Sequence, residues 1–300
     1  MSTTRWKDTK TPDLDTAIDL LTREVANDTP PANLIWKNWS LTKAFQENQN
    51  IVLNGQDITF NVIKYSFDQA TLTDAEERIV KKDGFIIAYF NGISVNYIIN
   101  QNSIALKLLR KLLSYTGRNE LEKNSYTFSN NFFVWLINRV YNSNNVIESN
   151  NNNLQDLSLD YIKGFKGDTE DSQTTVTANG EAVMNIISTL SFLLESKRLD
   201  QIKLNLSYAN HETINVILKN GVITSDLMSY QGCFENDENN LLTAKLYLLI
   251  YIEILTILEQ EFLSDIENGL WNREEYINFM NSVATNLTEK VQAKITSLNE

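Results

Sequence analysis

Three hundred residues carry a single histidine, His211, and a single cysteine, Cys233, with 38 acidic against 26 basic side chains and a net charge of −12. That inventory excludes an internal disulfide and a zinc site built from histidine and cysteine alone, and it sets the long-range field against a nucleic-acid backbone. Apolar residues at 42% exclude a disordered chain, and the length allows one large domain or two ordinary ones, of which two are expected.

Residues 1–10 are polar and charged, without the apolar stretch of a secretory signal, so a cytoplasmic location in a reducing compartment is expected. Thr11 and Pro12 read as N-cap and first helical residue, followed by Leu14, Ala17, Ile18, Leu21 and Val25 at helical spacing. Pro30 and Pro31 end this helix. Leu34, Ile35, Trp36, Trp39, Leu41 and Phe45 suggest a second amphipathic helix with aromatic anchors.

An antiparallel meander should follow. Asn54-Gly55, Asp83-Gly84 and Asn91-Gly92 are two-residue turn signals, separating strands at 58–66, 77–82, 85–90 and 93–99. Thr73 with Glu76 spells a capping box, which offers residues 74–82 a short helix instead. Helices at 103–114 and 130–141 then cover the sheet, the first with Lys107, Arg110 and Lys111 on its wet side. The asparagines Asn142, Asn144, Asn145, Asn150, Asn151, Asn152 and Asn153 bury little apolar surface and read as a linker. The boundary therefore falls between residues 1–145 and 146–300, and the asparagine bias suits an AT-rich bacterial source.

The second half should open with a strand at 157–165 and a polar loop at 166–178. Asn179-Gly180 then starts a long helix with Ala182, Val183, Ile186, Ile187, Leu190, Leu193 and Leu194 on one face. Ile202, Leu204, Leu206 and Tyr208 alternate with polar residues as a half-buried strand, and 213–219, Asn220-Gly221 and 222–227 complete a second meander. Helices at 241–262 and 273–298 close the chain. The fold class is thus α+β, two antiparallel β-meander/helix units with a C-terminal long helix pair.

Residues 241–258 are apolar enough to be weighed as a membrane span, but Lys245 and Glu253 would each cost about 2.5–3.5 kcal/mol at its centre. A buried core helix is expected, with Glu253 paired to a lysine or a tyrosine hydroxyl.

Catalytic signals are thin. Asp168, Glu170 and Asp171, with Asp160 on the preceding strand, are the best concentration of hard oxygen ligands, and only here does a cofactor (Mg²⁺ or Mn²⁺, for phosphodiester cleavage) enter. Glu195-Ser196-Lys197 has the E-x-K spelling of restriction-type nucleases, but at a helix end its two charges do not face each other. Gly164, Gly167 and Gly180 match neither phosphate-binding glycine fingerprint. His211 and Cys233, with Asp226 or Asp237, would be the parts of a thiol hydrolase, although single copies make no signature.

Ile277, Met280, Ala284, Leu287, Val291 and Leu298 follow a heptad seam interrupted by Lys294, suited to packing on the 241–258 helix or on a protein partner or second copy. The expected function is a non-enzymatic interaction or scaffold subunit of a cytoplasmic bacterial assembly, without cofactor. The alternatives are the metal-dependent phosphodiesterase or nuclease above, and a sensor or effector of an antiviral defence system, which rests on no residue.

Overall fold

The computed structural model describes residues 1–29, 34–72, 77–117, 119–149, 153–169, 175–179 and 187–299. Expectations for Pro30, Pro31, Thr73, Glu76, Gly180, Ala182, Val183 and Ile186 lie outside these residues. Contacts divide the chain into two compact units, Met1–Ser125 with Asp237–Leu249, and Tyr126–Asn236 with Ile250–Glu300.

In the first unit, β1 (Ser2–Asp8) and α1 (Leu14–Thr22) precede β2 (Leu34–Lys43), β3 (Gln49–Leu53), β4 (Gln56–Leu72), β5 (Glu77–Phe90) and β6 (Val95–Ile99); α2 (Ala105–Leu113) and β7 (Leu121–Lys123) follow. Strand order is β1-β6-β5-β4-β2, all antiparallel, with β3 on β4 and β7 on β1. Leu14, Ala17, Ile18 and Leu21 of α1 and Leu108 and Leu112 of α2 bury against one face of this sheet. The N-cap of α1 is Asp13, whose carboxylate accepts from Thr16 N at 2.7 Å, two residues beyond the expected Thr11. Thr11 instead gives its backbone N–H to Asp8, a buried carboxylate that also accepts from the hydroxyls of Tyr97 and Tyr115.

Two local expectations, the helix at 34–45 and the turn at Asp83-Gly84, are corrected here, and the strand expected at 77–82 is borne out. Residues 34–43 form strand β2 and not a helix: between Lys37 and Ser40 an extra residue bulges out of register with β4, and Asn38 takes a left-handed φ of 56°. The bulge breaks the period of two, so Trp36 and Trp39 recur at a spacing that mimics a helix. Residues 77–82 are strand, paired along β4 from Glu77 to Lys82. Asp83-Gly84 is no turn; β5 runs straight through it. A β-carbon on Gly84 would collide with the Asn100 amide and the Tyr65 hydroxyl, so this glycine answers to close packing. Asn54-Gly55 does turn, with φ of 50° and 69°, and closes the β3-β4 hairpin.

The second unit opens on α3 (Asn130–Tyr141), capped by Ser129, and continues through β8 (Val146–Ile147), β9 (Leu157–Thr169), β10 (Thr175–Asn179), α4 (Ile187–Glu195), β11 (Ser196–Tyr208), β12 (His211–Lys219), β13 (Val222–Ser225) and β14 (Gln231–Gly232). Its antiparallel order is β10-β9-β11-β12-β13, with β8 on β9 and β14 on β12. Helix α5 (Asn239–Leu249) belongs to the first unit, whereas a π-helical turn (Ile250–Ile254), α6 (Leu255–Glu267) and α7 (Arg273–Asn299) belong to the second. The fold is α+β, with a long C-terminal helix.

By contact α3 groups with the second unit, where the sequence places it in the first. Arg139 of α3, buried, reaches Asp265 at 2.9 Å and Glu261 at 3.2 Å on α6, and Trp135 donates to the same Asp265 at 2.8 Å. The asparagine segment from Asn142 to Asn145 is not a bare linker either, while Asn150, Asn151 and Asn152 lie outside the described residues. Arg139 holds the carbonyls of Asn144 and Val146, and Asn145 pairs with Leu159 of β9 through both backbone and side chain. Such polar residues order because their hydrogen bonds are made, not because they bury apolar surface.

Candidate functional site

The proposed acidic centre is spread along a strand. The expected 166–178 loop is largely a hairpin: β9 extends to Thr169 and β10 starts at Thr175. Asp168 pairs through its backbone with Thr175 and with Arg198, while Glu170 and Asp171 lie outside the described residues. Asp160 sits eight residues before Asp168 on the same strand, about 26 Å away at about 3.3 Å per residue, so the two cannot share one ion. Asp160 is occupied by the hydroxyls of Ser158 and Ser207, each at 2.9 Å. Among the described residues, no three His, Cys, Asp or Glu side chains gather as a cation would need.

The E-x-K spelling straddles an element boundary, with Glu195 ending α4 and Ser196 opening β11. Gly164 and Gly167 are paired strand residues of β9, and a β-carbon on Gly167 would meet the Arg198 carbonyl, so strand contact accounts for that glycine.

His211 and Cys233 do meet. The sulfur lies 3.7 Å from His211 Nε2, where β12 begins beside the β14 exit, and Cys233 N donates to Asn210 O at 3.1 Å. Neither expected aspartate joins them. Asp226 caps the turn at Met228 and Ser229, and Asp237 pairs with Lys245 at 2.9 Å. The Tyr230 hydroxyl accepts from Phe234 N at 3.1 Å and lies 2.6 Å from His211 Nδ1. Burial pulls the His211 pKa from 6.5 down to about 4.

Glu253 finds the second of its two expected partners. The π-helical turn carries this buried carboxylate to the Tyr208 hydroxyl, which accepts in turn from Gln155 N at 3.3 Å. Burial first, and the adjacent Glu253 carboxylate next, hold the Tyr208 hydroxyl above its usual range. The continuous helix Asn239–Glu267 is long and apolar enough to cross a membrane, and 67% of its most apolar stretch is buried within the protein.

The remaining site is the face of α7. Trp271 donates to Asn131 at 2.9 Å and Phe279 meets the Tyr141 ring edge-on at 5.6 Å, so the helix is steered along α3 and α4. Within the unit, α3 and α4 are the helices against which α7 mainly packs. Phe279 and Val283 form the buried side. On the neighbouring stripe, Met280, Ala284 and Leu287 are half-buried, whereas Ile277 is 48% and Val291 44% exposed. The stripe runs on through Ile295 at 46% and Leu298 at 72%, past the interrupting Lys294. Ile295 is the member the sequence reading omitted; its i, i+4 spacing from Val291 was the available signal.

No protein-family model matches this sequence, and no curated protein shows detectable similarity to it.

Proposed function

We propose that the chain is a non-catalytic subunit of a protein assembly and binds its partner through the apolar stripe of α7. One observation supports this reading above the others: four large aliphatic side chains, Ile277, Val291, Ile295 and Leu298, face solvent from one side of a single helix. Isolated exposed aliphatics need no explanation, but a row at helical spacing is the pattern by which an amphipathic helix docks in a groove or beside another helix. Full burial of a Val, Leu or Ile side chain is worth about 1.5–3 kcal/mol, so the half-exposed members would add about 1 kcal/mol each on docking.

The reading is tested by placing a photoreactive amino acid at position 295 and irradiating cells of the source organism. A discrete heavier adduct is the expected product, with none from the same substitution at exposed Lys219 on β12. A chain that forms no adduct from position 277, 291 or 295 contradicts the assignment.

A further inference from the structure

Helix α7 carries an exposed apolar patch at each end. One is its tail, where Val291, Ile295 and Leu298 face solvent and every residue from 291 to 298 is exposed. The other is the corner where α6 turns into α7: Leu263 and Ile266 on α6, Leu270 in the turn and Ile277 on α7 are exposed as well. Phe262 and Asp265, on the other side of α6, carry its contacts with α3, a ring contact with Phe132 and an ion pair with Arg139. At a helical rise of about 1.5 Å per residue, the tail stands roughly 27–38 Å from Arg273 at the start of α7, so a straight helix holds it out of reach of the corner of its own chain.

The two patches differ in charge. Across 259–277, Glu259, Glu267, Glu274 and Glu275 are exposed against Arg273 alone, while Glu261 and Asp265 are taken by Arg139. Across 286–298, Lys290 and Lys294 stand against Glu289 alone. Among the described residues Glu259, Glu267, Lys290 and Lys294 make no ion pair, so both charge excesses face outward.

We propose, resting on the docking reading of α7, that its partner is a second copy of this chain, lying antiparallel so that the basic tail of each copy covers the acidic corner of the other. A twofold arrangement is self-complementary, since whatever one copy's tail does at the partner's corner the partner's tail does in return, and it closes as a dimer. About an axis passing near residue 286, Ile295 of one copy falls beside Ile277 of the other, and Leu298 comes to the turn that holds Leu270. The C-terminal end of each α7, with its partial negative charge, then lies by Arg273 of the other copy. A parallel pair would set tail on tail and like charge on like, leaving both corners bare.

Sedimentation velocity of the purified full chain tests the proposal. One helix pair with its corners is a small interface, so a reversible dimer is expected, the mass rising from one chain to two between about 1 and 200 μM. Leu270→Asp and Ile295→Asp, one in each patch, should each weaken dimerisation about tenfold or more. Lys290→Glu/Lys294→Glu should weaken it too, and adding Glu267→Lys/Glu274→Lys to the same chain should restore it. A photoreactive residue at position 295 of the purified chain should join two copies within 259–277. Circular dichroism checks each fold, and if one aspartate variant unfolds, the other and the charge reversal decide. A one-chain mass at every concentration, a dimer indifferent to a folded aspartate variant, or adducts that map outside 259–277 would overturn the proposal. Because the purified chain has no other protein to meet, a monomer here together with a discrete adduct in cells would reject the second copy and leave the docking reading standing.

Discussion

His211 is the chain's one imidazole, so its ring protons report one environment without assignment work. Burial holds its pKa at about 4, below the 6.5 of an unfolded histidine, so between those values the unfolded chain binds the extra proton. The stability this neutral ring contributes is therefore complete above pH 6.5 and is lost as pH falls toward 4, at no more than about 1.4 kcal/mol per unit. An NMR titration should show a flat Cε1–H shift from about pH 8 to pH 5.5; a midpoint near 6.5 contradicts the buried assignment. Gly84 offers a second check. Gly84→Ala would push into Asn100, whose side-chain oxygen accepts from Tyr65 at 2.8 Å and Phe85 N at 2.9 Å, so a loss of about 2–3 kcal/mol is expected in urea unfolding. Neither role was legible in the sequence. Asp83-Gly84 spells a turn whether or not Asn100 lies against it, and nothing in a one-dimensional string brings Tyr230 back to His211.

At the scale of elements, helices with continuous periodicity were readable and interrupted strands were not. Leu14, Ala17, Ile18 and Leu21 on α1, and Phe132, Phe133, Leu136 and Ile137 on α3, bury as their spacing implies. Strand β2 failed because one bulged residue converts alternation into a pseudo-helical pattern, a case where tertiary pairing with β4 overrides local period. The acidic hairpin failed for the opposite reason: its polar residues alternate too weakly to announce β9 beyond Phe165. Packing around α3 makes a sharper prediction. Asp265→Ala leaves Trp135 Nε1 without its acceptor and weakens the cover on buried Arg139, and a cost of about 3 kcal/mol is expected, read from the urea midpoint. Helix α7 should divide cleanly by face. Ile295→Asp, on the exposed stripe, should change stability by no more than about 0.5 kcal/mol, whereas Val283→Asp, fully buried, should cost about 3 kcal/mol or more.

Across the whole molecule, the α+β class and the two meander-and-helix units followed from the chain's repeated alternation of turn signals and apolar periods. The contact division did not, because it depends on which helix a few buried charges select: Arg139 binds α6, and so α3 joins the second unit. The candidate site was legible to a similar degree. The heptad seam named Ile277, Met280, Ala284, Leu287 and Val291, but only the fold separates the half-covered middle from the exposed ends and extends the row to Ile295 and Leu298. Among the described residues no comparable convergence forms around Asp160 and Asp168, which sit far apart on one strand. The central claim is that this row is a binding face. Quantitative affinity capture from a lysate of the source organism, with the wild-type chain and a Val291→Asp/Ile295→Asp/Leu298→Asp variant side by side, addresses it most directly. A protein retained by the wild type and reduced about tenfold or more on the folded variant is the predicted result. Equal yield on both, or retention by neither, would contradict it.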